Sequence, residues 1–418
     1  MRKLFLNFRS DSVWSKVMAL TAILFFALLA DAILSDWVPV YLQNVLGGSF
    51  MMGIVMSFSS VVGFSADFIF PQLLKGTTVR KMMVMAVLSG VLFSAVLLWA
   101  TIQTGGQAWW PMVMVLLLAM AIWGVYYEFL GFANQQFVAE TAPVHQRAQV
   151  WAVMGVFKNL AYFLGPMLGG YLISRGDRVL VMITGGISVV AYILLLFFKI
   201  KNKPVVLEAE EINLSREASH WWTLLPHVWP VLVLAFVLGL IDATFWTTGT
   251  VFTEVLAKQN WWGGFFLPMY MLPSLFVGLF VLKWGVYQGK KKWAEIFLML
   301  GGLFLMLLFY SESVVYQLAM VFLSSIMLSV SYPLVDAIYS DIVVRMGRER
   351  KHMVGLGVSM ISLAYIVGPV LSGWIASQVG ERMTFVAVGA ATVTVSIVLL
   401  ITTPRKLLLP QREIKNWS

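Results

Sequence analysis

Apolar residues dominate this chain in long runs, broken by short polar connections. The runs fall at about 17–40, 50–72, 82–102, 111–138, 149–173, 179–199, 229–250, 262–282, 294–311, 314–339, 353–376 and 383–403. Each approaches the roughly 20 residues that an α-helix needs to cross a hydrocarbon core about 30 Å thick. Lipid offers no partner for backbone N–H and C=O groups, so such runs are predicted as helices rather than strands. Twelve spans place both chain ends on one side.

The basic residues follow the same alternation. Of 29 lysines and arginines, 24 lie on the side of the N-terminus, and Arg175, Arg178, Lys258 and Arg382 lie on the other. Lys158 alone falls inside a run. Positive charge marks the cytoplasmic side, so both termini are expected in the cytoplasm of a cell-membrane protein that crosses the bilayer many times. Tryptophan pairs at 109–110, 221–222 and 261–262 stand where aromatic belts meet the membrane surface.

The longest charged connection, residues 199–228, divides the spans six and six. It predicts an N-terminal bundle over 1–198, a cytoplasmic linker over 199–228, and a C-terminal bundle with a tail over 229–418. The halves resemble each other. LAYFLGPMLGGYLIS at 160–174 matches LAYIVGPVLSGWIAS at 363–377, and Asp31-Ala32 matches Asp242-Ala243. An internal repeat of this kind sets architecture. Two related six-helix halves with a solute site near the midplane form the alternating-access plan.

Composition narrows the chemistry. Hydrophobic residues make up 60% of the chain and charged residues 12%. With no cysteine there is no thiolate metal site and no cysteine nucleophile. The four histidines, 145, 220, 227 and 352, have no HExxH spacing, and Gly285 to Lys292 lacks phosphate-loop spacing. Neither a metal, a cofactor, ATP hydrolysis nor another enzyme activity is expected. The formal charge of +9 sits in short loops, so it is read as topology and not as a nucleic-acid surface. The N-terminal MRKLFLNFRSDSVWSK is read as the basic flank of the first span rather than a cleaved signal.

On these residues the chain resembles the major facilitator superfamily. The fifth-span antiporter-type motif, G-x8-G-x3-GP-xx-GG, is matched by Ala152, Ala161, Gly165, Pro166, Gly169 and Gly170, with alanine at the first two positions. The eleventh span repeats it around Gly368, Pro369 and Gly373. Gly63 and Asp67 stand for the signature between spans 2 and 3, where the following arginine is replaced by Phe68. The resemblance implies an all-α fold of twelve transmembrane helices in two pseudo-symmetric six-helix bundles. It also implies coupling to a proton or another ion, and a small-molecule substrate. The fifth-span motif leans towards export by antiport, or serves close packing of a bent helix. A monomer in the bilayer is expected.

Ionisable groups inside spans cost about 2.5–3.5 kcal/mol each on insertion scales, so they face a cavity or a partner. Asp31, Glu128, Asp242 and Asp336 are the proton-coupling candidates. A carboxylate in a dry interior is poised to take up and release a proton. Lys158 is read as a counter-ion to Glu128 or Asp31, or as a contact for an anionic solute. Ser325, Ser329, Tyr332, Asp336 and Tyr339 share a helical stripe, and Glu128 and Gln135 share another. Polar stripes line a wet cavity or stitch helices together. Trp246 beside Asp242 suits a cationic or amphipathic solute, or faces lipid. Asp36, Glu140, Glu254 and Asp341 are expected to be solvated near helix ends. The proton-coupled exporter is weighed against a nutrient uptake symporter, and against a sensor that moves nothing.

Overall fold

The computed structural model describes residues 12–73, 77–103, 109–143, 146–198, 214–277, 289–346, 350–404 and 409–410. The start of the expected linker (199–213), the end of the eighth run (278–282) and His145 lie outside them.

The described chain is a succession of helices. They are α1 (Ser12–Leu46), α2 (Ser49–Leu73), α3 (Val79–Gln103), α4 (Trp109–Thr141), α5 (Arg147–Ile173), α6 (Asp177–Phe197) and α7 (Leu214–Thr244). A π-helical turn (Phe245–Gly249) joins α7 to α8 (Thr250–Gln259), and α9 (Phe266–Met271) follows. The last four are α10 (Lys290–Met306), α11 (Val314–Met346), α12 (Arg350–Val379) and α13 (Glu381–Thr402). Among the described residues, ten helical stretches are long and apolar enough to cross a membrane. α7 begins at Leu214, so half of the segment expected as polar linker is helix. The amphipathic stretch around Trp221-Trp222 carries enough apolar residues to extend the span backwards.

Contacts divide the chain into two compact units. One comprises Met1–Tyr41 and Val61–Ala209, the other Leu42–Ser60 and Glu210–Ser418. In the first unit Phe93 stacks on Trp123 at 5.1 Å, and Trp123 lies 5.7 Å from Tyr127. In the second, Phe245 stacks on Tyr270 at 3.8 Å and meets Phe385 at 4.8 Å. Large apolar side chains such as Leu92, Leu118, Ile193 and Val398 stay exposed. A helix apolar on all sides has lipid on its outer face.

The repeat is visible in local geometry. Gly176 (φ +101°) precedes α6 and Gly380 (φ +84°) precedes α13. Both enter a helix from a left-handed conformation that side chains avoid.

Two charged residues expected to be solvated lie inside. Asp36 is 5% exposed, its carboxylate over Gly169. A bare glycine face leaves room for a side chain beside the helix, which draws Asp36 inward. Lys291, expected in a loop, is 5% exposed, pairs with Glu295 at 2.7 Å and bonds Thr403.

Candidate functional site

The aspartates repeated in the two halves are each held by the tyrosine repeated in the two halves. In the first unit Asp31, on α1, is 5% exposed. Tyr162 of α5 donates to its Oδ2 at 2.6 Å. From α4, Trp123 Nε1 donates to Oδ1 at 2.7 Å, and the Tyr127 hydroxyl lies 3.0 and 2.9 Å from the two oxygens. A small pocket borders Asp31, lined also by Ala27, Val87, Gly90, Phe93, Trp123 and Ser188. Hydrogen bonds to a charged acceptor contribute about 1.5–3 kcal/mol each, so three donors offset much of the cost of burying the carboxylate.

In the second unit Asp242, on α7, accepts from Tyr270 at 2.6 Å and from Tyr365 of α12. Tyr332 of α11 belongs to the same cluster and donates to Leu238 O at 3.0 Å. Asp242 is half-buried. The π-helical turn starts three residues after it, and Trp246 stands half-buried on that turn. Inserting a residue into a helix in this way re-aims the side chains that follow, and such turns gather at functional sites.

The neighbours of the two aspartates match as well. A Cβ built on Gly165 would sit 2.3 Å from Ala32 Cβ, and one on Gly368 would sit 2.7 Å from Ala243 Cβ. Asp-Ala on the first helix of each half therefore docks on Tyr-x-x-Gly-Pro of the fifth. The glycine lets the helices approach until the tyrosine reaches the carboxylate. Gly169 faces Asp36, and Gly373 packs on Ser49 O, 2.4 Å from its would-be Cβ. Gly170 has nothing within 4 Å, so it does not share in this packing. Pro166 and Pro369 lie inside their helices.

Glu128, half-buried on α4, hydrogen-bonds to the Asp67 carboxyl, and its Oε1 lies 3.0 Å from a Cβ built on Gly63. Lys158 is exposed on α5, with its ammonium 5.9 Å from the Tyr162 ring centroid, and its charge acts on Asp31 rather than on Glu128. Gln135 and Asp336 are exposed, and Ser329 is half-buried. The α11 stripe bonds to neighbouring backbone: Ser325 to Tyr270 O, Tyr332 to Leu238 O and Tyr339 to Met353 O at 2.5 Å.

Sequence reasoning assigned no role to Tyr162, Tyr365, Tyr270, Trp123 or Tyr127. Tyr162 and Tyr365 were in view as identical residues of the repeat. Trp123, Tyr127 and Tyr270 carry no spacing signal, because aromatics are common in every span.

Each unit thus holds a carboxylate on one helix that accepts from a tyrosine on another. The sequence model of the Major Facilitator Superfamily matches residues 2–166, 108–347 and 259–417, and the chain belongs to that family. It is a secondary transporter. No curated protein matches it in sequence. Among solved structures, it is similar to a POT family transporter in complex with 5-aminolevulinic acid (TM-score 0.71, 10% identity, 94% of this chain and 96% of that chain). It is similar to the human organic anion transporter MFSD10 (0.63, 16%, 93% and 100%) and to the nucleoside transporter NupG (0.68, 12%, 93% and 98%). At these identities the likeness is one of fold.

Proposed function

We propose that the chain works by alternating access as a proton-coupled carrier of a small solute, with Asp31 and Asp242 as the proton-carrying groups. It acts as a monomer in the cell membrane, with both termini in the cytoplasm. The observation that carries the reading is the repeated Asp–Tyr pair. Asp31 accepts from Tyr162, Tyr127 and the Trp123 indole, and Asp242 accepts from Tyr365 and Tyr270. A protonated aspartate no longer accepts from every donor, so its tyrosine must turn or the helices must shift. Proton uptake is thereby tied to the contact between the first and fifth helices of each half.

Export is the direction towards which the fifth-span motif leans. The geometry gives that lean no added weight, because both copies of the motif serve helix packing. Uptake by symport uses the same groups and is favoured by one observation, the cation of Lys158 beside Asp31. Trp246, Tyr332, Ser329, Gln135 and Tyr339 remain candidates for solute contact, and Glu128 and Asp336 remain further candidates for proton coupling.

Solute-driven proton movement in proteoliposomes tests the reading. Antiport moves protons against the solute and symport moves them with it. Asp31→Asn and Asp242→Asn are each expected to abolish the proton signal in folded protein. Full coupling in both variants would remove the aspartates from the mechanism.

A further inference from the structure

Lys158 lies 11 residues into α5, which runs Arg147–Ile173. At 1.5 Å per residue that is about 16 Å from the helix start, beyond the reach of a four-carbon stem. The depth also separates it from a lipid headgroup. α5 contains no acidic residue. Among the described residues no carboxylate lies within 4.0 Å of the ammonium. Its recorded neighbours are the face of Tyr162 and the charge of Asp31.

Tyr162 sits between these charges. Its ring underlies the ammonium and its hydroxyl donates to Asp31 Oδ2. Neutral donors satisfy the carboxylate, so the lysine is kept near it without a direct ion pair. Among the described residues, the remaining ionisable groups around Asp31 are Tyr126 and Tyr127 of α4. α3 and α6 bring Val87, Gly90, Phe93 and Ser188, which carry no charge. An exposed ammonium at this depth, with donors left over, is built to receive an acceptor from outside the chain.

We propose that Lys158 binds the anionic group of the solute, so that the cargo is an organic anion, and that anion and proton bind together. This rests on the coupling reading for the role of Asp31. Protonating Asp31 removes the negative charge that competes for the ammonium, which raises anion affinity. By linkage a bound anion raises proton affinity by the same factor, of order 5- to 150-fold for such coupled sites. Two ligands that promote each other's binding travel in one direction, which is symport.

The test uses the full chain in proteoliposomes with a pH dye inside. The probes are benzenesulfonate, succinate and glycerol phosphate, with benzyltrimethylammonium, succinamide and glycerol as cationic and neutral counterparts. Anions are expected to move with protons, and their cationic and neutral counterparts are not. Lys158→Gln should lose that preference and Lys158→Arg should keep it. Preference for the cation or the neutral compounds, or undiminished anion flux in Lys158→Gln, overturns the inference and leaves coupling through Asp31 standing. Anion flux that depends on Lys158 but moves no proton overturns the coupling reading and the linkage, and leaves the anion site. If nothing in the panel moves, both fall.

Discussion

The hydroxyl of Tyr162 lies 2.6 Å from Asp31 Oδ2, and both residues have counterparts one repeat later, Tyr365 and Asp242, that make the same contact. Duplication has kept a carboxylate on one helix and its donor on another. Packing alone does not require that, since phenylalanine would fill the tyrosine's space.

Tyr162→Phe and Tyr365→Phe each delete one donor to a carboxylate and leave the ring. Interhelical hydrogen bonds in membranes average about 0.6 kcal/mol and reach about 1.7, so each variant should fold with a melting point only a few degrees lower. Proton-coupled flux should fall much further, with its pH dependence displaced. Unchanged flux-against-pH curves in both variants would reduce the pair to a structural tie.

Gly165 and Gly170 form a matched test of helix packing. Gly165→Ala forces its methyl into the space of Ala32 and should cost about 1–3 kcal/mol, as overpacking does. Gly170→Ala meets open space and should be neutral or slightly stabilising, because alanine favours a helix by up to about 1 kcal/mol over glycine. Thermal unfolding in detergent compares them. Equal losses would mean that the two glycines matter for another reason.

The buried pair of Lys291 and Glu295 ties α10 to the end of α13 through Thr403. Lys291→Met strands a buried carboxylate and should cost about 3–5 kcal/mol. The double variant Lys291→Met, Glu295→Leu should recover most of the loss. A double variant no better than the single one would show that the charges are not coupled.

Asp67 meets a carboxyl rather than a base. Asp67→Asn removes a second carboxyl from beside Glu128 and leaves an amide that can donate to it, so thermal stability should hold or rise. A marked loss would point to a basic partner that Asp67 needs.

The class of the protein was written along the chain. Lipid demands helices, so hydrophobic run length pointed to the spans, ten of which stand among the described residues, and lysine and arginine counts gave an expected orientation. The repeat was legible because Asp31-Ala32 and the Tyr162 to Pro166 stretch recur in order. Only the tertiary structure decided what each polar group meets. Asp31 finds Trp123 and Tyr127 92 and 96 residues away, and Glu128 finds Asp67 and not Lys158. Asp36 turns inward over a glycine that no hydropathy pattern marks. In a uniformly apolar helix every face looks alike to the sequence, and the partner of a buried charge is chosen by which helices pack close enough to offer a donor.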